Sequence, residues 1–217
     1  MRYEKKFKFN ISDYREIKYF LLSKNFKLHF PDRQVSSIYY DTNEMDFFQE
    51  SENGNCNRQK LRYRFYNYSN LDSILENKIK KGTLGYKKNL TQLKINESET
   101  IFFEKLNNKF EIKIPINIFN FYYPKVFIDY KRIYLISYDN QIRITLDINI
   151  SSAKLSKILN KKFKLINFIP FKQCVLEIKF NNDCTPDDKF INKLSSNFKL
   201  DLTRNSKYCI AVKNQFK

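Results

Sequence analysis

Residues 58–66 read Arg58-Gln59-Lys60-Leu61-Arg62-Tyr63-Arg64-Phe65-Tyr66. Lys60, Arg62 and Arg64 fall on one parity, and Leu61, Tyr63 and Phe65 on the other. A period of two is the mark of a strand, whose successive side chains point to opposite faces. One face of this strand is therefore apolar and the other strongly cationic.

The same split recurs along the chain. Glu4, Lys6 and Lys8 share one parity, with Phe7 and Phe9 on the other. Glu76, Lys78 and Lys80 fall together; Arg143 and Asp147 alternate with Ile142, Ile144, Leu146 and Ile148; Glu177 and Lys179 alternate with Leu176, Ile178 and Phe180. Strands are expected near 73–80, 86–94, 126–136, 141–150 and 173–180, with a short one at 36–40. Ser12 is placed to cap a helix over 13–24, with Tyr14, Ile17 and Leu21 on one stripe. Thr185-Pro186-Asp187-Asp188 reads as the start of a second helix ending near Leu194. Glu52-Asn53-Gly54-Asn55 carries the Asn-Gly signal of a hairpin. The Lys-rich segment 151–172 reads as a helix or a long loop.

Composition bounds the function. The 217 residues, 42% hydrophobic and 29% charged, suit one sizeable core, so 1–217 is expected to form a single domain. Forty Lys and Arg against 23 Asp and Glu leave +17, which points to a polyanionic partner unless the heavy use of Lys is general. Four scattered cysteines with no Cys-x-x-Cys pair, and His29 as the one histidine, argue against zinc and against Cys–His catalysis. No apolar run reaches the roughly 20 residues of a membrane span. With no leader signal, a reducing cytoplasmic location is expected.

An antiparallel sheet with one solvated face would give the same alternation. Two features favour a different reading. The polar parity is mostly Arg and Lys, where a solvated face mixes in Thr, Ser and Gln. Single carboxylates, Glu4, Glu76, Asp147 and Glu177, recur among those cations. A nucleic-acid groove gains nothing from them, whereas metal-complexed phosphate uses both signs of charge. Closing the sheet would turn the polar faces inward, giving an α+β chain: an antiparallel β-barrel tunnel of about eight strands with a few flanking helices.

Nine short strings then occur in order: Arg2-Tyr3-Glu4-Lys5-Lys6-Phe7, Val35 to Thr42, Arg58 to Tyr66, Glu76-Asn77-Lys78, Gly85-Tyr86-Lys87-Lys88, Tyr130 to Tyr134, Arg143 to Asp147, Val175 to Lys179, and Asn205-Ser206-Lys207-Tyr208. On these the chain resembles the VTC domain (polyphosphate polymerase domain), a branch of the triphosphate tunnel metalloenzymes. Tyr40 stands where that family more often has Phe. The resemblance implies a tunnel that holds ATP, with Mn²⁺ or Mg²⁺, and transfers its γ-phosphate to a growing polyphosphate. It implies phosphate-binding or catalytic roles for Lys6, Arg62, Arg64, Lys78, Lys87, Arg132, Arg143, Lys179, Ser206 and Lys207. Glu177 would be the principal metal ligand, helped by Glu4, Glu76 or Asp147. Lys60 and Lys88 read as solvated, and the lysine register at 78–81 stays open by one residue. Two alternatives remain: hydrolysis of triphosphate or tripolyphosphate on the same fold, and polyanion binding without catalysis. ATP and polyphosphate are the expected partners, with no specific nucleic acid; any membrane coupling would fall to a separate partner protein.

Overall fold

A computed structural model describes residues 2–82, 84–90, 98–105, 108–115, 118–119, 121–158, 162–181, 188–203 and 206–216. Strands dominate these residues, accompanied by four α-helices. The chain begins with β1 (Arg2–Phe9), α1 (Tyr14–Leu22), β2 (Phe26–Asp41) and α2 (Asp46–Glu52). It continues through β3 (Arg58–Tyr66), β4 (Ser69–Lys81), β5 (Leu84–Asn89), β6 (Ser98–Lys105) and β7 (Asn108–Pro115). Then come β8 (Tyr123–Ser137), β9 (Arg143–Ile158), β10 (Lys162–Pro170) and β11 (Cys174–Asn181). The last elements are α3 (Asp188–Phe198), β12 (Asp201–Leu202) and α4 (Lys207–Gln215). Among the described residues no helix is long and apolar enough to cross a membrane.

The chain divides into two compact units, one of Met1–Arg33, Tyr130–Ile150 and Pro170–Asn205, the other of Gln34–Asp129, Ser151–Ile169 and Ser206–Lys217. In the first, β1 lies between β12 and β11 and is antiparallel to both, and β11 pairs antiparallel with β9. Phe7 and Phe9, Leu176, Ile178 and Phe180, and Ile144, Leu146 and Ile148 turn to one face and are buried. Ile17 and Leu21 of α1, and Ile191 and Leu194 of α3, pack into the same cluster. Spacings of three and four place each pair on one helical stripe, so both helices cover the apolar parity of the strands. The cap of α1 differs from expectation. Asp13 is the N-cap, and the Ser12 hydroxyl donates to its carboxylate at 2.7 Å instead of to the helix. The expected start of α3 at Thr185 to Asp187 lies outside the described residues.

In the second unit the 34–41 part of β2 pairs with β3, β3 with β4, and β4 with β5, all antiparallel. The β3–β4 hairpin turns at Asn67 and Tyr68, both left-handed with φ of 49° and 55°. Two such residues match the twist of the flanking strands. The Asn-Gly at 53–54 is not a hairpin; it stops α2. Asn53 N–H bonds to Gln49 O at 2.9 Å, and Gly54 follows at φ 71°, the left-handed residue that ends many helices. The core here is aromatic: Phe65 and Phe103 flank Phe127 at 6.3 and 5.6 Å between ring centroids, and Phe110 stacks on Phe103 at 5.2 Å.

Two further expectations need correction. Segment 151–172 is mostly strand, because β9 runs on to Ile158 and β10 follows. Pairing is not antiparallel throughout, since β10 runs parallel to β6 with Lys162 opposite Thr100.

Candidate functional site

In the first unit the parity opposite the apolar cluster carries Glu4, Lys6, Arg143, Asp147, Glu177 and Lys179. The register sets opposite charges face to face, Lys6 against Glu177 and Glu4 against Lys179, while Thr145 lies against Glu177 and Arg143 against Lys179. Lys179 Nζ is 2.6 Å from Glu177 Oε1 and 4.0 Å from Glu4 Oε2, and Lys6 Nζ is 2.5 Å from Glu4 Oε1. Arg132 of β8 donates Nε–H to Asp147 Oδ1 at 2.6 Å and a terminal N–H to Oδ2 at 2.7 Å, a parallel fork. Asp147 is fully buried and Arg143 is exposed.

Burial alone would raise the Glu177 carboxyl. The charges of Lys6, Lys179 and Arg132, with the hydrogen bond from Lys179, instead hold it well below the usual carboxylate range. For Arg132, burial works against the charged form, but the Asp147 carboxylate outweighs it and fixes the guanidinium as a cation. Both groups therefore stay ionised inside the protein.

The second unit builds a comparable face around Glu76, which is 2% exposed. Arg62 lies opposite it in the β3–β4 ladder and donates from Nε at 2.7 Å, with NH2 at 2.6 Å from the same oxygen. Lys87 of β5 donates to Oε1 at 2.7 Å, and Arg64 NH1 stands 3.7 Å from Oε2. Burial would raise this carboxyl too; Arg62, Arg64 and the Lys87 hydrogen bond overcome it and leave the value at about 2. Lys78 lies between Lys60 and Lys87 in the ladder, on the parity of Glu76, and is exposed.

Further participants in this face were not foreseen. Lys60, expected to be solvated, donates to Ser206 Oγ at 2.7 Å. Ser206 is also the N-cap of α4, accepting from Cys209 N–H at 3.3 Å, and Lys207 is the first residue of that helix. Tyr39 of β2 accepts from Arg62 NH1 at 3.2 Å and stacks on Tyr208 at 5.1 Å. Tyr208 donates to the Asp41 carboxylate, which also accepts from Phe47 and Phe48 N–H at the start of α2, at 2.9 and 3.0 Å. This ties α4 to α2 and to β2. Burial opposes ionisation of Tyr39, but Arg62, Arg64 and Lys207 bring its hydroxyl down to about 8. Ser37, opposite Arg64, completes the set. The Tyr-Tyr-Asp string at 39–41 was the available signal, although the register that sets Tyr39 opposite Arg62 could not be read from it.

Such faces are suited to multiply charged oxyanions. Each has carboxylates that keep the cations in place and ionised, and a phosphate can take over those cations without a change of protonation. A divalent cation fits best where Glu177 and Glu4 flank the Lys179 ammonium, since two carboxylates already converge there on a positive charge. Among the described residues no three His, Cys, Asp or Glu side chains converge. Mg²⁺ and Mn²⁺ tolerate that, because they commonly take one or two carboxylates and complete their shell with water and substrate phosphate. Glu76 and Asp147 are instead engaged by guanidinium groups.

Of the sequence-derived residues, the first unit brings together Lys6, Glu4, Arg132, Asp147, Glu177 and Lys179, with Arg143 at its edge. The second brings together Arg62, Arg64, Glu76 and Lys87 and, with Lys60, Ser206.

The family model of the VTC domain matches residues 1–216. No curated protein matches the chain. A solved structure from Vibrio parahaemolyticus, provisionally named an adenylate cyclase, is similar at 14% identity and TM-score 0.51, over 96% of this chain and 98% of that one. Another, from Hippeastrum, provisionally named an adenylyl cyclase and described as having a dominant triphosphatase activity, is 10% identical at TM-score 0.48, over 99% and 97%. At these identities the likeness to the first is one of fold.

Proposed function

The chain belongs to the VTC domain family, and on that premise we propose that it is an ATP-dependent polyphosphate polymerase. In this reading residues 1–217 act as one domain, the strands close into a tunnel, and the polar faces line it. The observation that carries the reading is the set of ionised carboxylates, Glu177 and Glu76, each enclosed by Arg and Lys on a strand face.

Phosphoryl transfer asks the protein for positioning and charge more than for covalent chemistry. Arg62, Arg64, Arg132 and Arg143 would take non-bridging oxygens, with Lys6, Lys78, Lys87, Lys179, Ser206 and Lys207 supporting them. Glu177 and Glu4 would hold the metal, which when bound neutralises charge between β- and γ-phosphates. Glu76 and Asp147 keep their arginines extended and charged. The acceptor, a phosphate terminus, is already ionised, so no histidine or cysteine base is needed. A cytoplasmic setting, with any membrane coupling left to a separate protein, belongs to the same reading.

Product analysis with ATP and Mn²⁺ tests it. Acid-stable phosphate polymer is expected. Orthophosphate without polymer would assign hydrolysis of triphosphate, and an absence of turnover would leave binding alone.

A further inference from the structure

Ser37 on β2 lies opposite Arg64 on β3, on the face that also carries Tyr39, Arg62 and Glu76. It is 1% exposed, and its hydroxyl has no hydrogen-bond partner among the described residues. The Nε–H of Arg64 is buried and equally unpartnered. Buried donors are almost always satisfied, so two orphans facing each other across one ladder call for an explanation.

The neighbouring arginine shows the contrast. Arg62 places Nε and NH2 on Glu76 at 2.7 and 2.6 Å and NH1 on the Tyr39 hydroxyl at 3.2 Å, so protein groups hold all three nitrogens. Arg64 reaches Glu76 through NH1 at 3.7 Å, too far for a hydrogen bond. Arg62 is fixed in place, while Arg64 keeps a donor to give. Charge narrows the class of acceptor. Arg62, Arg64 and Lys87 gather on the one carboxylate of Glu76, so a cation is repelled here and an anion with a small exposed oxygen is attracted.

From this we infer that Ser37 binds substrate: its O–H and the Arg64 Nε–H donate together to a non-bridging phosphoryl oxygen. The inference rests on the triphosphate reading above and adds to it a hydroxyl ligand. It also divides the labour between the paired arginines, Arg62 as the fixed charge and Arg64 with Ser37 as the seat.

Metal-free tripolyphosphate is titrated calorimetrically into the parent, Ser37→Ala, Ser37→Cys and Arg64→Ala proteins, and each is melted without ligand. Ser37→Ala should weaken binding about tenfold, the loss of one hydrogen bond to a charged group. Its ligand-free melting temperature should hold or rise, because an unsatisfied buried hydroxyl has gone. Ser37→Cys fills nearly the same space with a poor donor and should weaken binding similarly, which decides the matter if the alanine variant folds badly. Parent-like affinity in both Ser37 variants, beside lost affinity in Arg64→Ala, overturns the role of Ser37 and leaves the triphosphate reading standing. A melting temperature that falls while affinity holds overturns it too, as a purely structural serine. If the parent fails to bind tripolyphosphate, both readings fall.

Discussion

Replacing Arg132 with Met removes the fork that holds Asp147. That carboxylate is fully buried, and both its oxygens accept from the guanidinium, at 2.6 and 2.7 Å. Methionine keeps much of the volume but takes the guanidinium away from a buried carboxylate, a loss of about 3–5 kcal/mol. For a chain of this size that is a fall in melting temperature on the order of 10 °C. Asp147→Leu removes the carboxylate that receives the guanidinium fork and should also destabilise, though less, because Glu177 still acts on the Arg132 charge. The double variant Arg132→Met/Asp147→Leu removes both charges and should return to within about 1 kcal/mol of the parent, because a buried pair exchanged for apolar groups is often close to neutral. Urea unfolding followed by far-ultraviolet circular dichroism reads all four proteins. The double variant also separates stability from function: it should fold and yet bind ATP less tightly, since Arg132 is assigned to phosphate. A single Arg132→Met variant within about 1 kcal/mol of the parent, or a double variant no better than the singles, would refute the account of this pair.

Two other outcomes follow from the same principles. Glu76 has its carboxyl lowered from 4.5 to about 2, so its stabilising contribution is full above pH 4.5 and is lost as pH falls towards 2. Glu76→Gln should therefore be less stable than the parent at pH 6, and the gap should shrink across that window in unfolding experiments. Leu176→Ala opens a cavity in the cluster beneath α1 and α3 and should cost about 2–5 kcal/mol in urea unfolding, while the folded fraction binds ATP as the parent does.

Much of this was legible in the sequence where both faces of a strand differ in chemistry. The parity of 58–66 marked Leu61, Tyr63 and Phe65 as buried and Arg62 and Arg64 as their opposite, and the structure has them so. The same holds at Leu176 and Ile178 against Glu177. Parity failed where the chain breaks it. In β6 the run Ile101-Phe102-Phe103 hides alternation, because an apolar residue stands at every position. The hairpin at Asn67-Tyr68 was hidden because tyrosine seldom adopts positive φ, while the more obvious Asn-Gly ended a helix. Ion-pair partners were hidden for another reason: register, not parity, decides that Arg62 meets Glu76 and Arg132 meets Asp147. Lys60 illustrates the limit, since its partner Ser206 lies far along the chain.

On the proposed function, these charged faces hold ATP through its phosphates together with a divalent metal. Calorimetric titration of ATP, with and without Mn²⁺, into the parent, Arg62→Ala and Glu177→Ala proteins tests it most directly. The parent should bind ATP and bind it more tightly with Mn²⁺; Arg62→Ala should lose about tenfold or more in both conditions, and Glu177→Ala should lose the gain from the metal. ATP binding that is indifferent to Mn²⁺ and to both substitutions would contradict it.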